Sequence, residues 1–402
     1  MEKLAKQSLT LHKKYHGKIE IRSKLPLNTA ADLSLAYTPG VGEVCKEIFR
    51  NQTLAKTYTI KGNAVAVVTD GSAVLGLGNI GPLAGLPVME GKCILHKKFA
   101  NIDAFPICLD TQDTEKIIET IKLISPVFGA IHLEDISAPR CFEIEKRLQQ
   151  ELDIPVLHDD QHSTAVAVLA ALINALKCQV PIDGRLRRPM NPPSSRSAGL
   201  RRTGRRATQP KIVVNGAGAA GIGIMRLLLA YGFKNLIACD SQGAIYRGRR
   251  DLRDEKLWLA KITNKKNIKG QLAECLNGAD VFIGVSKAGL LKPQMIQQMN
   301  PSPIIFALAN PVPEIMPNDA LKAGALIAAS GRSDFPNQIN NVLTFPGIFR
   351  GALNNNTRLI TSKMLIQAAK NLAALVKNPS PQQILPSLFD KRVVPAIAKA
   401  IK

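Results

Sequence analysis

Aromatic residues are scarce in this chain: one Trp, five Tyr and twelve Phe supply 4% of 402 residues. That leaves little surface for stacking single-stranded bases, and no zinc-finger, RRM or homeodomain pattern is present. Long apolar runs are missing too. No stretch of eighteen uninterrupted apolar residues occurs, and the N-terminus lacks the apolar core of a signal peptide, so no membrane partner and a cytoplasmic location are expected. The seven cysteines (Cys45, Cys93, Cys108, Cys141, Cys178, Cys239 and Cys275) contain no CxxC pair, which suits reduced thiols in a core better than disulfides or a zinc site. Acids are in short supply: 31 Asp and Glu face 53 Lys and Arg, for a formal charge of +22. Such a balance raises nucleic acid or an anionic membrane surface as partners. Much of the excess is local, however. Eight arginines (Arg185, Arg187, Arg188, Arg196, Arg201, Arg202, Arg205 and Arg206) face one acid, Asp183, between Cys178 and Pro210. Nucleic-acid binding is therefore not the expected role, and a basic field that draws in dicarboxylates and cofactor phosphates is the milder explanation.

What the chain does have is a stretch from His132 to Ala165 in which two short apolar segments each end in a carboxylate pair. Val127–His132 precedes Glu134 and Asp135, and Ile154–Leu157 precedes Asp159 and Asp160. Short apolar runs of this kind predict buried parallel strands, and ligands in open α/β sheets collect at the carboxyl ends of such strands. Four clustered acids repel one another and lose hydration unless a proton is shared or a cation sits between them. All-oxygen ligation favours Mg2+ or Mn2+ over zinc. The plain alternative is a set of helix N-caps and surface acids. His158 and His162 stand at i, i+4, but the second lies at a helix start beside better oxygen ligands, so a zinc reading is not favoured.

The rest alternates strand and helix, which means βαβ units and an α/β class. Strands are expected at Val65–Val68 and Phe105–Leu109, and helices at Leu86–Lys97, Thr114–Ile124 and Cys141–Glu151. A glycine-rich loop, LGLGNIGPLAG, follows the first strand and lets backbone approach a ligand. Ser163 is expected to cap an apolar helix, Thr164–Lys177. Residues 178–210 then lose all apolar period and read as a loop excursion. Order returns in KIVVNGAGAAG: a strand runs into Gly216-x-Gly218-x-x-Gly221, with Ala219 and Ala220 between, then a helix to Tyr231 and a strand Asn235–Cys239 closed by Asp240. This is the dinucleotide fingerprint in its proper setting, with glycines for the turn, the pyrophosphate and the helix packing, and an acid about twenty residues on. Further strands are expected at Ala279–Val285, Ile304–Ala309 and Ala325–Ala329, and the end is expected to be helical, closing with Gln383–Ile401.

Taken together, AYTPGVGEVCKEI, VVTDGSAVLGLGNIGPLAGLPVMEGKCILHKKFANIDAFPICLDT, HLEDISAPRCFEIE, IPVLHDDQHSTA, IVVNGAGAAG, ALANPVPEI and GRSDFPNQINNVLTFPGIFRGAL are similar to the malic enzymes of the short bacterial type. The resemblance implies an N-terminal malic-type α/β domain, residues 1–162, that holds metal and substrate. It implies a doubly wound Rossmann-like NAD(P)-binding domain, residues 163–402, carrying the Arg-rich insert 178–210 and C-terminal helices. It further implies oxidative decarboxylation of (S)-malate to pyruvate and CO2, with NAD or NADP and a divalent metal. Glu134, Asp135 and Asp160 would be the metal ligands. Lys92 in MEGK would be the general base, with Asp159 orienting it, and Tyr37 in AYTPG the general acid. Asn310 and Asn341 would contact substrate, Lys92 also touching it, and Asn310 would lie near the cofactor. A base role asks for a lysine whose pKa is lowered by burial and a nearby cation. Asp240 favours NAD, since its carboxylate suits a ribose hydroxyl and repels a 2′-phosphate. Family members form dimers or larger homo-oligomers, so one is expected here.

Two departures stand out. Ala73 occupies the place where larger family members carry an arginine, so amides, backbone N–H groups or Lys92 must hold the substrate carboxylate. The insert 178–210 is longer and more basic than the family's connector, and is either a functional loop or a stretch read out of frame. The alternatives are a catalytically impaired relative whose basic insert binds anions or nucleic acid, and a metal-free NAD-dependent dehydrogenase on the same plan.

Overall fold

The computed structural model describes residues 2–179 and 209–402; most of the Arg-rich insert, residues 180–208, lies outside the described residues. Four helices open the chain: α1 (Glu2–Tyr15), α2 (Ala30–Ala36), α3 (Val41–Arg50) and α4 (Ala55–Tyr58). None of their described side chains is buried. The first sheet is built from β1 (Ala64–Thr69), α5 (Gly81–Ala100), β2 (Asp103–Cys108), α6 (Thr114–Ile124), β3 (Ala130–Leu133), α7 (Arg140–Glu151) and β4 (Val156–His158). Its order is β2-β1-β3-β4, all parallel. Because helices cover both faces, β1, β3 and β4 are buried along their whole lengths, which is why they read as unbroken apolar runs rather than alternating ones.

Helix α8 (Asp159–Cys178) joins the halves, and the second sheet follows: β5 (Ile212–Asn215), α9 (Ala219–Tyr231), β6 (Leu236–Asp240), β7 (Gly243–Ala244), α10 (Asp254–Ile262), α11 (Leu272–Leu276), β8 (Val281–Gly284), α12 (Pro293–Gln297), β9 (Ile304–Ala307), α13 (Pro317–Lys322) and β10 (Ile327–Ser330). The order β10-β9-β8-β5-β6-β7 is doubly wound, parallel except for the short antiparallel β7, and its direction reverses between β5 and β8. That reversal opens the crevice in which such sheets bind dinucleotides. Helices α14 (Phe345–Asn355) and α15 (Ser362–Ala374) pack back against α5 and α8 respectively, and α16 (Val393–Ala398) packs on α14 and α15.

Helix α8 begins at Asp159 rather than after Ser163, and Ser163 sits buried within it. Acids are favourable in a first helical turn, where N–H groups are unpaired, so Asp159 and Asp160 start the helix themselves. The expected boundary at 162/163 consequently falls inside α8. The closing helix is also shorter than the expected Gln383–Ile401, because Pro381 and Pro386 interrupt the approach and regular helix forms only over Val393–Ala398. The main core cluster runs through both halves, joining Val65, Ala130 and Leu157 to Leu169, Ile222 and Ile283. Helices α8 and α9 cross so closely that a Cβ added at Gly223 would lie 2.1 Å from the Gln161 carbonyl oxygen. Gly223→Ala should therefore force the helices apart and lower stability by about 1–3 kcal/mol, read as a fall in Tm; an unchanged Tm would mean that the contact is not constrained.

Candidate active site

Helix α5 buries Gly85, Met89, Lys92, Cys93, His96 and Ala100, so Lys92 and His96, at i and i+4, lie one turn apart on a single inward face. They meet the end of β3. Glu134 extends that strand by one residue, its N–H donating to the Val68 carbonyl, so its side chain shares a face with His132. Asp135 then takes φ +53°, an uncommon left-handed conformation that Asp tolerates better than most residues, and its N–H donates to Asp160 Oδ2 at 3.3 Å.

Lys92 Nζ donates to Asp159 Oδ2 at 2.6 Å and lies 3.0 Å from Glu134 Oε1, with the Phe345 ring 4.8 Å away. Burial works against its charge, but Asp159 and Glu134 outweigh burial and hold the ammonium above its ordinary range. The two flanking anions set this direction, and a nearby cation is what a base role would need to oppose them. Burial likewise pushes against ionisation of Asp159, yet Lys92 holds that carboxyl down at about 2. Glu134 and Asp135 go the other way. Burial raises both, Glu134 well above its usual range and Asp135 to about 9, with Glu134 and Asp160 adding to the rise at Asp135.

Glu134, Asp135 and Asp160 each offer an oxygen within 4.8 Å of the other two, and Asp135 Oδ2 is buried with no hydrogen-bond partner. An orphaned carboxylate oxygen in a cluster of three acids, with oxygen donors only, is a donor set that fits a hard divalent cation such as Mg2+ or Mn2+. His132, Glu134 and Asp159 also cluster, but there the Lys92 ammonium already contacts both acids.

A cleft of about 550 Å³ collects Lys92, Glu134, Asp135, Asp160, Asn310 and Asn341, together with Ala220 from the fingerprint helix. A cavity of about 740 Å³ adjoins it, lined by Gly216, Gly218 and Asp240, and Ser286 borders both. Gly216 has φ +117°, and a Cβ on Gly221 would fall 1.7 Å from the Gly216 carbonyl oxygen, so neither position admits another residue without shifting backbone. Gly218 precedes α9, with Ala219 as its first residue. Asp240 Oδ2 is held by Arg249 at 2.7 Å and Lys256 at 2.8 Å. Tyr37 does not join them. It ends α2, is 66% exposed, and is not among the residues lining the cleft.

The sequence reading missed three side chains. Lys18 lines the cleft that Ala73 also borders, its Nζ donating to the Pro87 carbonyl at 2.6 Å; nothing in its surrounding sequence marks it. His132 and His96 are legible in hindsight, the first two residues before Glu134 on a strand and the second four after Lys92 on a helix.

A doubly wound dinucleotide crevice that adjoins an acidic pocket with a buried lysine defines a nicotinamide-dependent oxidoreductase with room for a divalent cation. The comparisons with known proteins then narrow the class. Residues 16–116 and 111–149 match the family description "Malic enzyme, N-terminal domain", and 195–401 match "Malic enzyme, NAD binding domain". The chain is 52% identical to the bifunctional malic/malolactic enzyme of Bacillus subtilis, covering 99% of this chain and 92% of that protein. It is 42% identical to the NADP-dependent malic enzyme of Escherichia coli, covering 96% of this chain and 50% of that one. The crystal structure of an NAD-dependent malic enzyme from Thermotoga maritima aligns with a TM-score of 0.87 at 46% identity over 98% of both chains. The chain belongs to the malic enzyme family.

The pKa directions carry a consequence for stability. Glu134 and Asp135 are raised on folding, so the stability they allow is fully present below the unfolded carboxyl pKa and is lost as pH rises, through about 9 for Asp135. Metal-free protein should therefore lose Tm between pH 5 and 9, and Mg2+ or Mn2+ should restore it more strongly at the alkaline end, where fewer protons compete. A cation effect absent at every pH in thermal unfolding would contradict this site.

Proposed function

We propose that the chain oxidises (S)-malate at C2 with NAD or NADP and releases CO2 to leave pyruvate. Residues 1–162 supply the acidic pocket, with Glu134, Asp135 and Asp160 holding Mg2+ or Mn2+, and residues 163–402 supply the dinucleotide crevice. The observation that carries this reading is the meeting of the three carboxylates and Lys92 with Ala220 and Ser286 in one cleft that adjoins the fingerprint cavity. When bound, the cation would supply electrophilic stabilisation at the C2 oxygen and the nicotinamide would supply a hydride acceptor for C2. Lys92 takes the hydroxyl proton and Asp159 orients its Nζ. Glu134 and Asp159 together keep a proton on Lys92, so neutralising Glu134 with a cation removes one of the two anions that oppose the base role. Asn310 and Asn341 hold a substrate carboxylate by their amides without adding charge. NAD is the preferred cofactor, because Asp240 ends β6 as an acid; Arg249 and Lys256 offset its charge and leave NADP usable.

Tyr37 returns a proton to C3 after decarboxylation, and we place that step in a homo-oligomer. Leu4, Leu9, Leu35, Tyr37 and Phe49 stand exposed on helices that bury none of their described side chains, a surface that a second copy would cover. In that arrangement Tyr37 serves the cleft of the other copy.

Turnover is tested by a malate- and Mn2+-dependent rise in reduced-cofactor absorbance, faster with NAD than with NADP. Lys92→Ala and Asp160→Ala should each reduce kcat by about 10²- to 10⁴-fold, and Asp160→Ala should also weaken Mn2+ binding. Full activity after EDTA would end the metal reading. Mixing Tyr37→Phe with Lys92→Ala protein, each inactive alone, should restore part of the activity through hybrids that keep one intact pair; no restoration after subunit exchange would place Tyr37 and Lys92 in the same chain's site.

A further inference from the structure

Behind Glu134 lies a structure that the catalytic proposal does not use. His132 and His96 are fully buried, and their rings form a chain: His132 Nε2 lies 2.7 Å from Glu134 Oε2, and His132 Nδ1 lies 2.9 Å from His96 Nε2. The chain stops there, because His96 Nδ1 is buried without a partner. Phe345 and Phe349 from α14 wall it in. His132 stacks on Phe349 with centroids 5.1 Å apart and planes 5° from parallel, and His96 lies 4.7 Å from the Phe345 ring. Neither imidazole borders the cleft, so neither can touch substrate or cofactor.

We propose that His132, held in one tautomer by His96, is a positioning residue that fixes the Glu134 carboxylate for the divalent cation. This rests on the metal site proposed above. With the cation bound Glu134 is an ionised carboxylate that only accepts hydrogen bonds, so His132 must then present Nε2–H to it and keep a lone pair on Nδ1. That lone pair needs a donor, which His96 Nε2–H supplies, leaving His96 Nδ1 as a bare acceptor. The opposite order faces a His132 lone pair toward the carboxylate and strands a buried N–H on His96, the costlier orphan. One tautomer chain is therefore selected by the place where it ends. Its consequence at the front is geometric: His132 holds Oε2, Lys92 holds Oε1 at 3.0 Å, and the carboxylate plane cannot turn about its terminal torsion. Outer partners of this kind typically tune metal affinity by about 10- to 100-fold.

The test measures Mn2+ affinity by electron paramagnetic resonance, with cofactor binding followed separately by reduced-nicotinamide fluorescence. His132→Phe, which keeps the ring packing, should weaken Mn2+ binding by about 10- to 100-fold while leaving cofactor affinity unchanged. His96→Leu should weaken it in the same direction although His96 touches no carboxylate, and His96→Gln, whose amide can donate to His132 Nδ1, should restore it toward the wild-type value. A wild-type protein that binds no Mn2+ would refute the metal site itself; wild-type affinity in a folded His96→Leu protein would refute the relay alone. Should the substitutions prevent folding, 15N-histidine spectra of the Mg2+-loaded wild type decide the matter: a neutral His132 protonated on Nε2 is expected, and protonation on Nδ1 overturns the proposal.

Discussion

Everything in the cleft depends on where the Lys92 ammonium is held. It sits 2.6 Å from Asp159 and 3.0 Å from Glu134 with almost no access to water, and its charge offsets part of a knot of acids made by two strand ends. Such pairs are costly to bury and more costly to break, since the abandoned partner keeps its charge without compensation. The sheet order explains why the charges must meet. With β3 flanked by β1 and β4, the residues following three parallel strands emerge at one edge, and α5, which leads out of the loop after β1, crosses that edge with Lys92 facing inward.

The division of the acids into two kinds follows from this single contact. Asp159 belongs to the lysine, which holds its carboxyl below the ordinary range, whereas burial holds Glu134 and Asp135 above it. Glu134 faces both ways, one oxygen toward Lys92 and the other toward His132. In the proposed reading a cation site and a proton-handling site would share this residue, so that filling the first would alter the field at the second. Carboxylates so tuned by environment into different roles are a recurring way for one pocket to carry both metal and acid–base chemistry near neutral pH.

Much of this was legible in the sequence because its causes are local. The fingerprint glycines answer to backbone sterics, and strands buried on both faces must be short and apolar; Thr114–Ile124 was bounded to the residue, helped by Asp113 as its cap. Boundaries failed where local preference met tertiary demand. The apolar periodicity of α8 begins at Thr164, but the helix starts at Asp159, because the polar first turn is needed at the cleft rather than in the core. The charge on Lys92 likewise rests on partners that no local pattern reveals. Burial could be read from an apolar helix, but the pairing with Asp159 spans 67 residues and is created only by the sheet order.

The exposed N-terminal helices pose the opposite case, in which an apolar face has no cover among the described residues. Helix α3 is amphipathic, yet its apolar residue Phe49 is 89% exposed and none of its side chains is buried. A stripe of that kind is stable only when something covers it, because most of a helix's stability comes from packing an apolar face. Among the described residues nothing does, and Tyr37 lies on the same uncovered arm while none of the described residues lining the cleft is a tyrosine. A surface in want of a partner and a pocket in want of a proton donor are satisfied together if the arm of one copy closes the cleft of another. Catalytic competence and assembly would then be one equilibrium, and activity would depend on protein concentration wherever the oligomer dissociates.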